Sequence, residues 1–154
     1  MKKLLLVAVA AMLTFVGCKK QSELNFHNME TATVYVTVEY NPGAHEVDGE
    51  IINENLPYAN AQVVARVNYS EYSDEAVGVK QIEATNAGGG KYEVKIPAGQ
   101  KPIDAEIFVR GFKADYYETT DSTVEAFYEC SPVDVNGLLN DDVHCITVNM
   151  HRTW

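Results

Sequence analysis

Apolar and polar residues alternate along most of this chain, and a period of two predicts half-buried β-strands. The segments with this patterning are Ala32 to Tyr40, Gln62 to Tyr69, Val79 to Thr85, Lys91 to Ile96, Ile103 to Arg110, Thr123 to Cys130 and Val143 to Met150. No segment has a sustained apolar period of 3.6 residues, so no substantial helix is expected. About seven short strands separated by turn signals predict an all-β fold, a single antiparallel β-sandwich over residues 31–154.

A glycine-rich turn, Gly88 to Gly90, separates two of these strands. Glycine reaches positive φ at little steric cost, so this turn predicts a tight hairpin. Pro97 then ends the second strand or places it at an edge, because proline donates no hydrogen bond to a central ladder.

The chain begins with a short positively charged stretch and an apolar run, Leu4 to Val16, that is too short to span a membrane comfortably. We expect residues 1–17 to be cleaved as a signal peptide. The small Gly17 directly before Cys18 resembles the lipobox of bacterial lipoproteins, which implies that Cys18 becomes the lipid-modified first residue of the mature chain. Phe15 departs from the usual leucine three positions before that cysteine. An ordinary secretory signal with an incidental cysteine is the alternative.

Residues 18–30 are expected to form the lipidated cysteine and a flexible tether. Acyl chains contribute about 0.8 kcal/mol per buried CH₂, so a multiply acylated Cys18 would anchor the protein stably, to the outer membrane. Some lipoproteins of the Bacteroides group carry an acidic run after the cysteine that resembles an address for the cell surface. Lys19-Lys20-Gln21-Ser22-Glu23 departs from that run, so both the periplasmic face and the cell surface stay open.

The charge balance narrows the choice of partners. The formal net charge is -10, and removal of Lys2 and Lys3 with the leader leaves 10 basic against 22 acidic residues, a net charge near -12. Nucleic acid and bare anionic membrane surfaces are therefore poor partners, because such binding depends on Lys and Arg neutralising phosphates. Acidity of this size is otherwise typical of a well-hydrated surface.

A family resemblance rests on four runs of residues. They are Leu56-Pro57-Tyr58-Ala59-Asn60-Ala61-Gln62-Val63, Thr85 to Gly88, Gly90-Lys91-Tyr92 and Ile96-Pro97-Ala98-Gly99. Their pattern resembles carboxypeptidase-regulatory-like, or prealbumin-like, domains over roughly Thr31 to Phe112. The resemblance implies a seven-stranded Greek-key sandwich without catalytic residues that serves as an accessory, adhesive or spacer module. The chain departs from the family in the acidic loop Asn41 to Asn55 and in the tail beyond Ala114, where any private function is expected.

Cys130 and Cys145 are the two thiols left once Cys18 is acylated. Both lie in strand-like segments, and an exported protein meets conditions that permit a disulfide. A closed loop of about fifteen residues would contribute roughly 3 kcal/mol to stability. We therefore expect a disulfide between these cysteines. Two buried free thiols or a metal pair are the alternatives, and the metal pair lacks further ligands at useful spacing.

The loop between these cysteines carries oxygen ligands of the kind that calcium requires. They belong to Asp134, Asn136, Gly137, Asn140, Asp141 and Asp142. On the EF-hand template the fifth position would be Leu138 and the twelfth Cys145, so the template fails. A looser site here, or around Glu46, Asp48 and Glu50, is the alternative to an ordinary solvated turn. No metal or cofactor is expected.

Catalytic motifs are missing from the sequence. The four histidines, His27, His45, His144 and His151, form no HExxH or comparable spacing, and no serine lies in GxSxG. The glycine-rich turn precedes no helix and so forms no phosphate cradle. We expect no enzyme activity.

Tyrosines near predicted turns are the remaining candidates for ligand contact: Tyr69, Tyr72, Tyr116 and Tyr117. Exposed aromatic rings stack on sugars or anchor protein interfaces, although tyrosine also suits half-buried strand edges. The sequence therefore predicts a non-catalytic, lipid-anchored envelope protein that acts as a binding or structural module for a protein partner. A carbohydrate-binding accessory lipoprotein that uses these tyrosines is the first alternative, and a small hydrolase or metal carrier is the second.

Overall fold

The computed structural model of the chain describes residues 24–26 and 28–153. The strands are β1 (Thr31–Tyr40), β2 (His45–Val47), β3 (Glu50–Ile52), β4 (Leu56–Pro57), β5 (Val63–Asn68), β6 (Val79–Glu83), β7 (Thr85–Gly88), β8 (Lys91–Pro97), β9 (Ile103–Val109), β10 (Phe112–Thr119), β11 (Ser122–Glu129), β12 (Val133–Leu138) and β13 (Val143–Thr153). A short 3-10 helix, Tyr69–Glu71, follows β5. The described residues contain no helix that is both long and apolar enough to span a bilayer. The predicted all-β fold is confirmed.

Two sheets form the sandwich. The larger sheet has the order β10-β11-β13-β1-β8-β7, with β4 paired to β1, and the smaller has the order β12-β9-β5-β6. The β2–β3 hairpin pairs with neither sheet. Among the described strands the β1–β13 pair is parallel, with Tyr35 opposite Cys145, and the other pairs are antiparallel.

The core lies between the two sheets and uses the faces that the alternation predicts. Fully or almost fully buried side chains include Ala32, Val34, Val36 and Val38 of β1, Val63, Ala65 and Val67 of β5, and Tyr92, Val94 and Ile96 of β8. Tyr40, predicted on the same face of β1, is only half-buried and packs against the edge of this core. Each fully buried Val or Ile contributes roughly 1.5–3 kcal/mol, so these alternating faces supply the main stabilisation of the sandwich.

Six connections between consecutive strands cross from one sheet to the other, and three of them are only one to three residues long. β6 and β7 form one bent strand that changes sheets at Ala84, whose amide donates to the Val63 carbonyl at 2.9 Å. The change from β9 to β10 occurs at Arg110 and Gly111. A Cβ at Gly111 would collide with the ring of Phe127, so the close approach of β11 requires glycine there. The change from β11 to β12 follows Cys130.

The elements that were not predicted from the sequence include the β2–β3 hairpin, β10 and β12. The hairpin forms within the predicted acidic loop, and its turn has positive φ at Asp48 (53°) and Gly49 (85°). β10 pairs with β11 to form a hairpin that we call the ribbon, and only Phe127–Glu129 of β11 also pairs with β13. β12 occupies part of the predicted oxygen-rich loop, because Val135 and Leu138 are buried in the core.

The predicted disulfide is wrong, since Cys130 and Cys145 are both free. Cys145 lies on the exposed outer face of β13, whereas Cys130 follows the buried Tyr128 at the end of β11. β11 pairs with β13 at His151, so six residues of β13, roughly 20 Å at about 3.3 Å per residue, separate Cys145 from this point. A disulfide requires Cα atoms within about 7 Å. Cys130 also packs against the core, whereas Cys145 is exposed.

The predicted cleavage after residue 17 and the lipidation of Cys18 lie outside the described residues. Within the segment predicted as a tether, Phe26 packs against Tyr69 and Tyr72 of the domain. Contacts with the sandwich therefore begin before Thr31.

Candidate binding cleft at the ribbon end

The four candidate tyrosines form two pairs at opposite ends of the sandwich. The Tyr72 hydroxyl donates to the Pro97 carbonyl at 3.0 Å, near the start of β1. The Tyr117 amide donates to the Pro42 carbonyl at 2.7 Å, just beyond the end of β1. The ten residues of β1 separate the two ends by roughly 30 Å at about 3.3 Å per residue. The four rings therefore do not form one platform.

Tyr69 and Tyr72 hold the N-terminal segment. The ring of Phe26 stacks on Tyr69 with centroids 6.0 Å apart and meets Tyr72 edge-on at 5.0 Å. The Lys80 ammonium lies 4.1 Å from the centroid of the Phe26 ring. Burial raises the pKa of Tyr72 to about 12, and the Glu71 carboxylate adds to this increase. These two tyrosines therefore stabilise the fold.

Tyr116 and Tyr117 lie on the ribbon, where each ring has a cationic or aromatic neighbour. The Tyr117 ring stacks on His45, with centroids 4.6 Å apart and an interplanar angle of 13°. His45 is the one buried polar residue among those the structure describes, and its Nδ1 lies 3.1 Å from the Gly43 carbonyl oxygen. The Arg152 guanidinium carbon lies 3.6 Å from the centroid of the Tyr116 ring. These contacts fix the ribbon against the β2–β3 hairpin and the end of β13.

Gly43 allows the loop to lie directly on the ribbon. Its φ is +89°, and a Cβ there would come within 2.8 Å of Tyr116 Cε2 and 2.9 Å of the Tyr117 carbonyl oxygen. Only glycine combines this backbone conformation with such a close approach.

Asn41 connects the same loop to the core. Its Oδ1 accepts from the Gly43 amide at 2.7 Å, and its Nδ2 donates to Asn53 Oδ1 at 3.0 Å. Its carbonyl accepts from the hydroxyl of the buried Tyr128 at 3.1 Å. Burial raises the pKa of Tyr128, and the neighbouring Tyr40 adds to this increase. The loop is therefore held by side-chain hydrogen bonds rather than by a sheet.

An open cleft of about 450 Å³ lies between the loop, the ribbon and the end of β13. Its lining includes Asn41, Gly43, Asn53, Tyr116, His151 and Arg152. Amide, imidazole and guanidinium groups around a tyrosine ring suit recognition of a polar or aromatic group. We call this site the ribbon-end cleft.

Sequence reasoning found the two ribbon tyrosines but missed His45, Asn53 and Arg152 as their neighbours. The Asn41-Pro42-Gly43 run at the start of the acidic loop is the one local signal for this site. Arg152 reaches Tyr116 only because β13 continues past Met150 beside β11, a long-range pairing that no local pattern indicates.

Residues 24–26 and 28–153 contain no group of three His, Cys, Asp or Glu side chains that could hold a metal ion. The described residues of the two acidic loops that were alternatives for calcium binding are included in this statement. A scan against protein-family models, a search of curated proteins and a search of solved structures each found no match.

Proposed function

We propose that this chain is a non-catalytic, lipid-anchored protein of the cell envelope, whose sandwich binds a protein partner through its ribbon end. The ribbon-end cleft and the β2–β3 hairpin lie at the C-terminal end of β1. This placement is the observation that carries the proposal. The same proposal includes that the domain is prealbumin-like and acts as an accessory or adhesive module.

The direction of β1 indicates how the domain would be oriented relative to the lipid anchor. At its start, Glu30 accepts from the Ala98 amide at 2.9 Å and from Asn140 Nδ2 at 2.7 Å. Phe26 packs at this same end. A chain anchored through Cys18 would therefore join the domain here and direct the ribbon end away from the lipid.

The exposed side chains at the ribbon end suit a protein partner. Ile51 on the β2–β3 hairpin is 69 % exposed, and Val47 and Val124 are also exposed. Val124 lies directly across the ribbon from Tyr116, whose ring contacts the Arg152 guanidinium. Apolar, tyrosine and arginine side chains are enriched in the energetically dominant parts of protein interfaces.

Carbohydrate binding through the four tyrosines is the alternative. Each of these rings is in contact with a neighbour: Phe26 contacts Tyr69 and Tyr72, His45 contacts Tyr117, and Arg152 contacts Tyr116. Sugar stacking requires an open ring face, so these contacts favour the protein partner.

Site-specific photo-crosslinking in cells tests the proposal. A photoreactive amino acid at Ile51 should capture one discrete envelope protein, whereas the same group at the exposed Lys101, in the turn between β8 and β9, should not. Equal capture at both positions, or none at Ile51, would contradict the proposal. In parallel, Cys18→Ser should move the protein into the soluble fraction, and retention in the membrane would contradict the lipid anchor.

A further inference from the structure

The outer face of the smaller sheet carries a second polar cleft, remote from the ribbon-end cleft. The inner face of this sheet packs in the core, and no third layer of described residues covers the outer face. The cleft has a volume of about 300 Å³ and is lined by Gln62, Val64, Arg66, Gln81, Phe108 and Arg110. We call it the arginine cleft.

The Arg66 side chain has a defined position, but its guanidinium group does not use all of its hydrogen-bond donors within the described residues. Its guanidinium carbon lies 4.5 Å from the centroid of the Phe108 ring. Its Nη1 lies 3.8 Å from Glu106 Oε2, too far for a hydrogen bond. Its Nε is buried and has no hydrogen-bond partner among the described residues. The buried Nε is out of reach of an external ligand, but the Arg66 side chain is 38 % exposed. Its outer guanidinium donors, positioned by an aromatic ring, are therefore suited to an anion from outside the protein.

Arg110 adds a second cation to the same cleft. Its Nη1 donates to Gln62 Oε1 at 3.2 Å, and its amide donates to the Gln62 carbonyl at 2.9 Å, which fixes both side chains at the mouth of the cleft. No carboxylate is among the described residues that line this cleft. Glu83, across the strand pair from Val64, lies at the β6 edge of the same face. Two arginines in one cleft stand out in a chain with a net charge of -10.

The neighbouring part of this sheet face has the opposite character. A second cleft of about 280 Å³ shares Arg66 and is lined mainly by acidic and amide groups, including Glu71, Asp104, Glu106 and Asp134. Carboxylates accept hydrogen bonds from hydroxyl groups but repel further anions. A ligand that crosses both clefts therefore carries its negative charge at the arginine end and neutral hydroxyl groups at the acidic end.

These properties select the ligand class. Pockets for small ligands have volumes of about 300–1,000 Å³, whereas protein interfaces bury about 800 Å² per partner around an apolar centre. The arginine cleft is of the first kind, since none of the exposed large apolar side chains of the described residues lines it. The ribbon end differs, because Val47, Ile51 and Val124 are exposed there. We infer that it binds an anionic saccharide, with the carboxylate or sulfate group on Arg66 and Arg110 and neutral sugar units over Glu106 and Asp134.

Isothermal titration calorimetry of the full chain in detergent tests this inference with three matched probes. They are 3′-sialyllactose, which carries one carboxylate, lactose 3′-sulfate, which carries one sulfate, and neutral lactose. At least one anionic probe should bind at least about tenfold more tightly than lactose, because hydrogen bonds to charged groups are the stronger ones. The anionic probe that binds more tightly shows whether the cleft prefers a carboxylate or a sulfate group. Equal affinity for all three probes would overturn the inference.

Variants then locate the site. Arg66→Gln and Arg110→Gln should each weaken the anionic probe by about tenfold and leave lactose unchanged. Lys95→Gln removes the same charge from the larger sheet, where Lys95 lies 3.2 Å from Glu93, and should have no effect. Arg110 is exposed at the end of its strand, so its variant remains informative if Arg66→Gln is unstable. Undiminished binding in Arg110→Gln, or equal loss in Lys95→Gln, would overturn the inference.

Discussion

The imidazole of His45 lies parallel to the ring of Tyr117 at 4.6 Å, and this stack joins the β2–β3 hairpin to the ribbon. Neither residue belongs to the main core between the sheets. The ribbon end thus has a small cluster of its own outside the main core.

His45→Ala should lower the free energy of unfolding by about 1–2 kcal/mol, because it removes a buried ring and an aromatic stack. Urea denaturation of the full chain measures the change. Glu46→Ala, the exposed neighbour on the same strand, is the matched control and should change stability by less than about 0.5 kcal/mol. An effect of His45→Ala no larger than that of the control would show that the stack contributes nothing.

Gly43→Ala should be more destabilising than Gly49→Ala. Both positions have positive φ, which costs an alanine roughly 1–2 kcal/mol. At Gly43 the new methyl group also meets Tyr116 Cε2 at 2.8 Å, whereas nothing lies within 4 Å at Gly49. The difference between the two variants in urea denaturation isolates this contact, and equal losses would contradict the close packing of loop and ribbon. Gly43→Ala should also reduce crosslinking at Ile51.

The sequence predicts the sandwich well where strands bury one face. β1, β5, β8 and β9 follow their predicted segments to within a residue or two, because alternation between Val or Ile and polar residues is strong there. The ribbon was missed in part because much of β10 and β11 is exposed, although Phe112, Ala114 and Tyr116 do alternate with polar residues. A half-exposed hairpin gives only a weak apolar period.

The candidate sites depend on pairings that a local pattern does not encode. Tyr116 could be singled out from sequence, but its contact with Arg152 results from the parallel pairing of β1 with β13 and the continuation of β13 beside β11. The same long-range register separates Cys130 from Cys145. No local pattern in the sequence encodes the distance between these two positions.

Tyr92→Phe should destabilise the fold by about 1–3 kcal/mol, because two part-buried backbone groups lose their partner. The Tyr92 hydroxyl donates to the Tyr58 carbonyl at 2.8 Å and accepts from the Ala61 amide at 2.7 Å. Thermal unfolding measures the loss, and Tyr35→Phe, on the exposed outer face of β1, is the control with little expected effect. A neutral result for Tyr92→Phe would mean that water satisfies both groups.

The two free cysteines should differ in reactivity. Burial raises the pKa of the Cys130 thiol, and the reactive species is the thiolate, so an alkylating reagent should modify exposed Cys145 first. Mass spectrometry of the native chain over time should show a fast site that is lost in Cys145→Ser and a slow site that is lost in Cys130→Ser. Protection of both thiols until a reductant is added would instead restore the disulfide.

Stability should fall between pH 10 and pH 12 because of buried tyrosines. Burial is the main cause that raises the pKa of Tyr72 to about 12 and raises the pKa of Tyr40, Tyr92 and Tyr128 above the usual 10.0. The unfolded chain therefore loses its phenolic protons first as pH rises through 10, which favours unfolding. The contribution of Tyr72 is fully present below pH 10 and is lost as pH approaches 12.

Tyr72→Phe isolates this effect, because phenylalanine does not ionise. Its midpoint in urea should fall less steeply between pH 10 and pH 12 than that of the unmodified chain, while at pH 7 it loses only the hydrogen bond to the Pro97 carbonyl. Identical slopes for Tyr72→Phe and the unmodified chain would show that the Tyr72 hydroxyl titrates alike in the folded and unfolded states, and the packing around Phe26 would then be looser than the ring contacts indicate.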